Sequence, residues 1–247
     1  RVVLGARTLS EMVRKLPEGD VSVCTDDKLV TQIRCGLSES SLMGIDAGEY
    51  PDLPQVQGKA TLKLSFDALR NLVKRTVFAV AVTDARPILT GVLLTAQGDG
   101  ITAVAVDGFR LGLAREKLLG GPVEPVSVVV PGKSMSEIGK IIRETDEELT
   151  LDLSDKHLRM ARGNVTFVCR LLEGDFINYE SVIPTETTTE TVVDTALLFD
   201  SIERASVVIN EKMRSPIILR FEETGSGVSC VSSLGKVIDR VHAVTKG

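Results

Sequence analysis

Tryptophan is absent from the 247 residues, and aromatic side chains make up only 4% of them. The core must therefore be aliphatic, which the hydrophobic content of 43% permits. Histidine occurs only as His157 and His242, cysteine only as Cys24, Cys35, Cys169 and Cys230, and no pair stands at CxxC spacing. That pattern argues against a zinc site and against a disulfide framework. Isolated thiols embedded in strands are expected to be small core residues in a reducing compartment. No apolar run approaches the ~18 residues of a membrane span, and no secretory leader is visible. The protein is expected to be soluble and intracellular, with no membrane partner. P-loop, GxGxxG, nucleophile-elbow and HExxH motifs are all missing. No cofactor and no metal are expected. An excess of positive charge is missing too: 29 Lys and Arg stand against 34 Asp and Glu, for a net charge of −5. Binding nucleic acid by bulk charge is excluded, but a local basic surface on an acidic body is not. The sequence begins at Arg1 without an initiator Met, so it is expected to be a fragment.

What the sequence does contain is a repeat of itself. "VVLGARTLSEMVRKL" (2–16) lies over "VVVPGKSMSEIGKII" (128–142), with Ser10-Glu11 on Ser136-Glu137, Arg7 on Lys133 and Arg14 on Lys140. "ALRNLVKRTVFAV" (68–80) lies over "LLFDSIERASVVI" (197–209), with Leu69 on Leu198, Val73 on Ile202 and Arg75 on Arg204. The two matches share a middle. The simplest organisation is three tandem domains: 1–56 as the second half of one, 57–186 as a complete one, and 187–247 as the first half of a third. The connectors "DAGEYPDLPQVQG" (46–58) and "PTETTTET" (184–191) carry the Pro, Gly, Thr and acids of inter-domain linkers.

Inside the complete unit, "ATLKLS" alternates as a strand, and "FDALRNLVKRTVFA" (66–79) reads as a helix with Leu69, Leu72, Val73, Thr76 and Val77 on one stripe. Three strands follow in "RPILTGVLLTA", "GITAVAVD" and "FRLGLARE". "VSVVVP" starts the pattern again, with "GKSMSEIGKIIRE" as a helix turning Met135, Ile138 and Ile142 inward. "ELTLDLS", "KHLRMAR" and "VTFVCRLL" complete it. Each domain is thus two βαβββ units, an α+β architecture with helices on one face of antiparallel sheets.

Two groups of residues invite a functional reading. Asp107 and Arg110 in "AVDGFRLG" (105–112) form either a tight DG hairpin turn, a recognition loop carried on that turn, or the acid and cation of a hydrolase. The acidic segment "RETDEELTLDLSD" (143–155) lacks the spacing of a calcium loop and reads as a solvated connection. The second group is basic: Arg7 and Arg14, Lys133 and Lys140, and Arg70 and Lys74 beside Arg75 recur on equivalent helices. With the apolar stripes turned to the sheets, these cations form either ordinary solvated helix surface or a repeated set of phosphate contacts.

The strings "RPILTGVLL", "AVDGFRLG", "VVVPGKSMSEI" and "LLEGDFINYESVIP", in this order, resemble the bacterial DNA polymerase III beta subunit family, the sliding clamps. The resemblance runs along the whole chain, from within the first clamp domain to within the third. It implies the DNA clamp fold and a processivity factor, not an enzyme: a head-to-tail homodimer of full-length chains that rings double-stranded DNA, in the cytoplasm at the nucleoid. It also implies binding to the polymerase III catalytic subunit, the clamp loader and other proteins with clamp-binding motifs, through a hydrophobic cleft between the second and third domains. By motif position the cleft would include Leu89, Val106, Gly108, Phe109, Arg110, Leu111, Ile177, Ser181 and Val182. Ile177 stands where the family usually has proline, and Ser181 where arginine is frequent. The family's C-terminal strand, which completes the cleft, has no counterpart in this sequence. For DNA, helical phase and repetition nominate Arg7, Arg14, Arg70, Lys74, Lys133, Lys140 and Arg204, with Arg86 in the Thr83–Arg86 loop. A clamp-fold adaptor that does not encircle DNA is the alternative.

Overall fold

In the computed structural model, residues 1–56, 58–83, 85–144, 148–209, 215–223 and 225–246 are described. Asp84 of the Thr83–Arg86 loop and residues 145–147 of the acidic segment lie outside them. The chain forms two compact units, Arg1–Ile177 and Asn178–Gly247.

The first unit opens with β1 (Val2–Val3), α1 (Ala6–Val13), β2 (Val21–Thr25), β3 (Val30–Cys35), β4 (Ser38–Met43) and β5 (Ile45–Asp46). Strands β2, β3 and β4 make an antiparallel sheet, while β1 pairs with β5. The unit continues with β6 (Ala60–Leu64), α2 (Phe66–Thr76), β7 (Gly91–Gly98), β8 (Gly100–Val106) and β9 (Leu111–Lys117). Then come β10 (Val123–Pro131), α3 (Gly132–Ile141), β11 (Leu149–Leu153), β12 (His157–Arg162) and β13 (Val165–Arg170). The expected βαβββ order is thus present twice between β6 and β13.

The two halves of this region exchange their first strands. The sheets run β10-β7-β8-β9 and β13-β12-β11-β6, every neighbour antiparallel. So β6 belongs to the sheet of the later half, and β10 to that of the earlier half. Single bridges Lys63↔Leu119 and Val129↔Leu172 tie the sheets together at both ends. Alternation explains the strands: Leu149, Leu151 and Leu153 point inward while Thr150 and Asp152 point out. The helices cover the inner faces. Leu69, Leu72, Met135 and Ile138 are fully buried in one aliphatic core. Ser65 caps α2, its Oγ accepting the Ala68 N–H at 3.2 Å, with Asp67 in the first turn and Lys74 and Arg75 in the last. Gly139 lets α3 cross α2 closely, since a Cβ there would lie 3.0 Å from Val73 Cγ1.

The second unit holds β14 (Glu190–Val193), α4 (Thr195–Ser206), β15 (Ile217–Glu222), β16 (Gly225–Ser232), β17 (Gly235–Val241) and β18 (Ala243–Lys246). Strands β15, β16 and β17 form one antiparallel sheet, and β14 pairs with β18. A small core around Ala205, Val228, Cys230 and Val241 joins α4 to it.

Four details differ from the sequence expectation. The α2 helix stops at Thr76 and passes into a 3-10 turn, Val77–Ala79. "RPILT" is not strand: Pro87–Thr90 form another 3-10 turn before β7, because proline fixes φ and supplies no ladder donor. The α3 helix ends at Ile141, with Ile142 extended and its N–H still donated to Ile138. Cys35 and Cys230 are core residues as expected, but Cys169 is half-buried and Cys24 is exposed on β2, whose residues all face solvent.

Candidate functional site

The β8–β9 connection is a four-residue loop, Asp107–Arg110, wider than a two-residue DG turn. Its shape is set by one side chain. Asp107 Oδ1 accepts the Phe109 and Arg110 backbone N–H groups at 3.0 and 3.1 Å, and Oδ2 accepts Arg110 Nε–H at 2.8 Å. Gly108 takes φ +89°, where a side chain would be strained. Donation from Phe109 N–H, followed by that from Arg110, holds the Asp107 carboxyl below the usual aspartate range. Both carboxylate oxygens are therefore engaged within the loop. Asp107 acts here as a turn-former and as the partner of Arg110.

Arg110 has a second neighbour that the sequence reading missed. Its guanidinium lies over the Phe78 ring, 5.8 Å from the centroid. Phe78 sits in the turn after α2, and that turn is pressed against β9. Gly112 faces it, and a Cβ at Gly112 would come within 2.7 Å of the Arg75 carbonyl oxygen and 3.0 Å of Thr76 Cα. Beside the stack, Lys74, Phe78 and Leu111 border a shallow depression of about 480 Å³. The signal in the sequence was an aromatic residue directly after a basic helix, which has no periodicity to mark it.

The remaining nominated cleft positions differ in exposure. Leu89 and Val106 are buried, Leu111 and Ile177 half-buried, and Gly108, Phe109 and Arg110 exposed. Phe109, at 99% exposure, is free of the core altogether. The turn carrying Leu89 neighbours the segment leading to Ile177. A Cβ at Gly91 would meet Leu172, and one at Gly174 would face Ile88. Ser181 and Val182 belong to the second unit and are exposed there, with Ser181 Oγ donating to the Asn178 carbonyl at 2.8 Å.

Every residue nominated for DNA is exposed, and they differ in their partners. Arg7 Nε donates to Glu11 at 3.1 Å, Lys140 Nζ to Glu137 at 2.8 Å, and Arg204 forks onto Asp239 at 2.9 and 2.5 Å. The Arg204 guanidinium is the main reason the Asp239 carboxyl lies low. Arg70 lies over the Phe66 ring, with Glu144 at 3.9 Å. Arg14, Lys74, Arg86 and Lys133 have no ion-pair partner among the described residues. Exposed pairs of this kind contribute about 0.2–1 kcal/mol, so a phosphate can replace the carboxylate partner at small cost. Among the described residues, no three His, Cys, Asp or Glu side chains gather as a metal site, and no helix is long and apolar enough to cross a membrane.

Residues 1–54 match the family model for the N-terminal domain of the DNA polymerase III beta subunit, and residues 63–178 match that for its central domain. The beta sliding clamp of Bacillus subtilis is 35% identical over 244 residues, covering 98% of this chain and 65% of the relative. That of Halalkalibacterium halodurans is 33% identical over 251 residues, covering 97% and 64%. The crystal structure of the Bacillus subtilis DNA polymerase sliding clamp superposes with a TM-score of 0.87 at 34% identity, over 100% of this chain and 66% of that one. A putative DNA polymerase III beta subunit from Eubacterium rectale gives the same TM-score of 0.87 at 27% identity, covering 100% and 67%. The chain spans about 65% of the length of the curated relatives it matches.

Proposed function

Because this chain belongs to the DNA polymerase III beta subunit family, we propose that it is part of a processivity clamp: a ring of two chains joined head to tail around duplex DNA. The observation that carries the proposal is the recurrence of exposed cations on equivalent helices. Arg7 and Arg14 on and just after α1 correspond to Lys133 and Lys140 on α3, and Arg75 at the end of α2 corresponds to Arg204 on α4. Lysines and arginines on helix surfaces meet phosphates without reading bases, so binding is independent of sequence and falls with salt. Weak contacts of that kind let the protein slide, and closure of the ring keeps it from leaving. A ring of identical chains needs two end surfaces that complement each other.

The work done is tethering, and no chemical step is assigned to the chain. A polymerase held by the ring experiences a high local concentration of primer ends, which raises processivity without tight DNA binding. The tether is a peptide segment of the polymerase or clamp loader docking beside the β8–β9 loop. The half-buried Leu111 and Ile177 supply apolar surface there, backed by the buried Leu89 and Val106, and Arg110 supplies one oriented cation. The organisation proposed is 1–56, 57–186 and 187–247 as parts of three successive clamp domains, in a protein working at the nucleoid.

The test is retention. Full-length protein loaded onto nicked circular DNA is expected to stay bound in 0.3 M salt and to run off once the circle is linearised. K133E/K140E is expected to lower loading and to flatten the salt dependence. Equal loss from circular and linear DNA would rule out encirclement and favour the adaptor.

A further inference from the structure

We propose that Phe78 and Asp107 are positioning residues for Arg110, holding its guanidinium in one orientation before a partner's peptide arrives. The inference rests on the reading of Arg110 as part of the peptide site. An unrestrained arginine samples many rotamers, and ordering it on binding costs affinity. Here two contacts order it in advance. Asp107 Oδ2 takes the Nε edge at 2.8 Å, and the Phe78 ring supports the guanidinium plane from 5.8 Å.

The supports are themselves fixed. Asp107 is held by the Phe109 and Arg110 amides, and only 15% of its side chain is exposed. Phe78 is flanked by the fully buried Ala79, and its turn is closed by the Val80 N–H donating to Val77. Gly112 brings β9 so close to Arg75 and Thr76 that the turn has little room to shift. Phe78 itself is 53% exposed, so its ring lies at the surface where the Arg110 guanidinium can lie over it.

What remains unused on Arg110 indicates the ligand chemistry. The two Nη groups make no hydrogen bond among the described residues, and the side chain is half exposed. They form a planar fork suited to a carboxylate or a backbone carbonyl of an extended peptide. Phe78 and Asp107 thereby set the direction in which that fork points, without touching the peptide.

The experiment is a fluorescence-anisotropy titration of full-length protein with a labelled peptide carrying the clamp-binding segment of the polymerase III catalytic subunit. R110A is expected to bind roughly tenfold more weakly, and F78L and D107N roughly three- to tenfold more weakly. F78Y keeps an aromatic face and is expected to stay within about twofold of the parent. In the R110A background, F78L is expected to add nothing, because both act through one guanidinium. The proposal is overturned if F78L leaves affinity unchanged, if F78Y binds as weakly as F78L, or if F78L weakens binding equally with and without Arg110. If R110A itself binds normally, the peptide-site reading falls and this inference falls with it. If R110A is weak and F78L is not, only the positioning role falls.

Discussion

Adding one methyl group at Gly112 tests whether the end of α2 is locked against β9. The Cβ of Gly112→Ala would stand 2.7 Å from the Arg75 carbonyl oxygen, 3.0 Å from Thr76 Cα and 3.4 Å from Ala79 Cβ. Non-bonded carbons settle at about 3.5–4.0 Å, so helix and strand must part by roughly half an ångström or more. Neither neighbour yields easily, because two of the three contacts are backbone and Thr76 and Ala79 are fully buried. Overpacking of this kind costs about 1–3 kcal/mol, and the stiffer unfolded chain returns about 0.4–1 of it. A net loss of about 1–2 kcal/mol speeds amide exchange from α2 and β9 roughly 5- to 30-fold where exchange follows opening. Hydrogen exchange read by mass spectrometry on peptides covering 66–76 and 111–117 measures this directly. Gly100→Ala is the control, since the nearest atom to its Cβ is 3.8 Å away. Exchange from α2 that is unchanged in Gly112→Ala, or no faster than in Gly100→Ala, would refute the lock.

Leu69→Ala, at a fully buried position in the same core, is expected to lose about 2–5 kcal/mol in urea unfolding followed by circular dichroism, whereas the exposed Leu197→Ala should stay within about 0.5 kcal/mol. Gly108→Val has open space around it but φ +89°, so its cost is backbone strain alone, about 1–3 kcal/mol, seen as a lowered Tm. The Asp107 carboxyl lies below its unfolded value, so its contribution to loop order is present at neutral pH and disappears only as pH falls through that lowered value. The Phe109 and Arg110 amide resonances should accordingly hold steady from pH 7 to about 5 and move only below about pH 4. Movement near pH 6 would contradict the assignment.

Much of the architecture was legible because two periodicities carried it. Alternation marked β6, and the 3.6-residue stripe of Leu69, Leu72 and Thr76 marked α2. Element ends were less legible. Nothing periodic separates Thr76 from Val77, and the turn there follows from packing against β9. At the site, local contacts could be read, since Asp107 and Arg110 are three apart and Arg7 and Glu11 four apart. Phe78 stacking on Arg110, and Asp239 holding Arg204, join residues more than thirty positions apart. No spacing rule reaches that far. The sequence therefore showed where the cations are, but not which of them are already engaged.

The strand exchange between β6 and β10 has a consequence for breakage. Gly120 and Gly121, both at positive φ and exposed, lie on the link between β9 and β10. A protease cutting there would sever the only covalent connection between the two halves of the central region. Yet each piece would still supply the edge strand of the other's sheet, with the Lys63 and Val129 bridges beside it. The cut would leave two fragments held together by the β10–β7 and β6–β11 pairings, so a nick in this link would be silent until both pairings open.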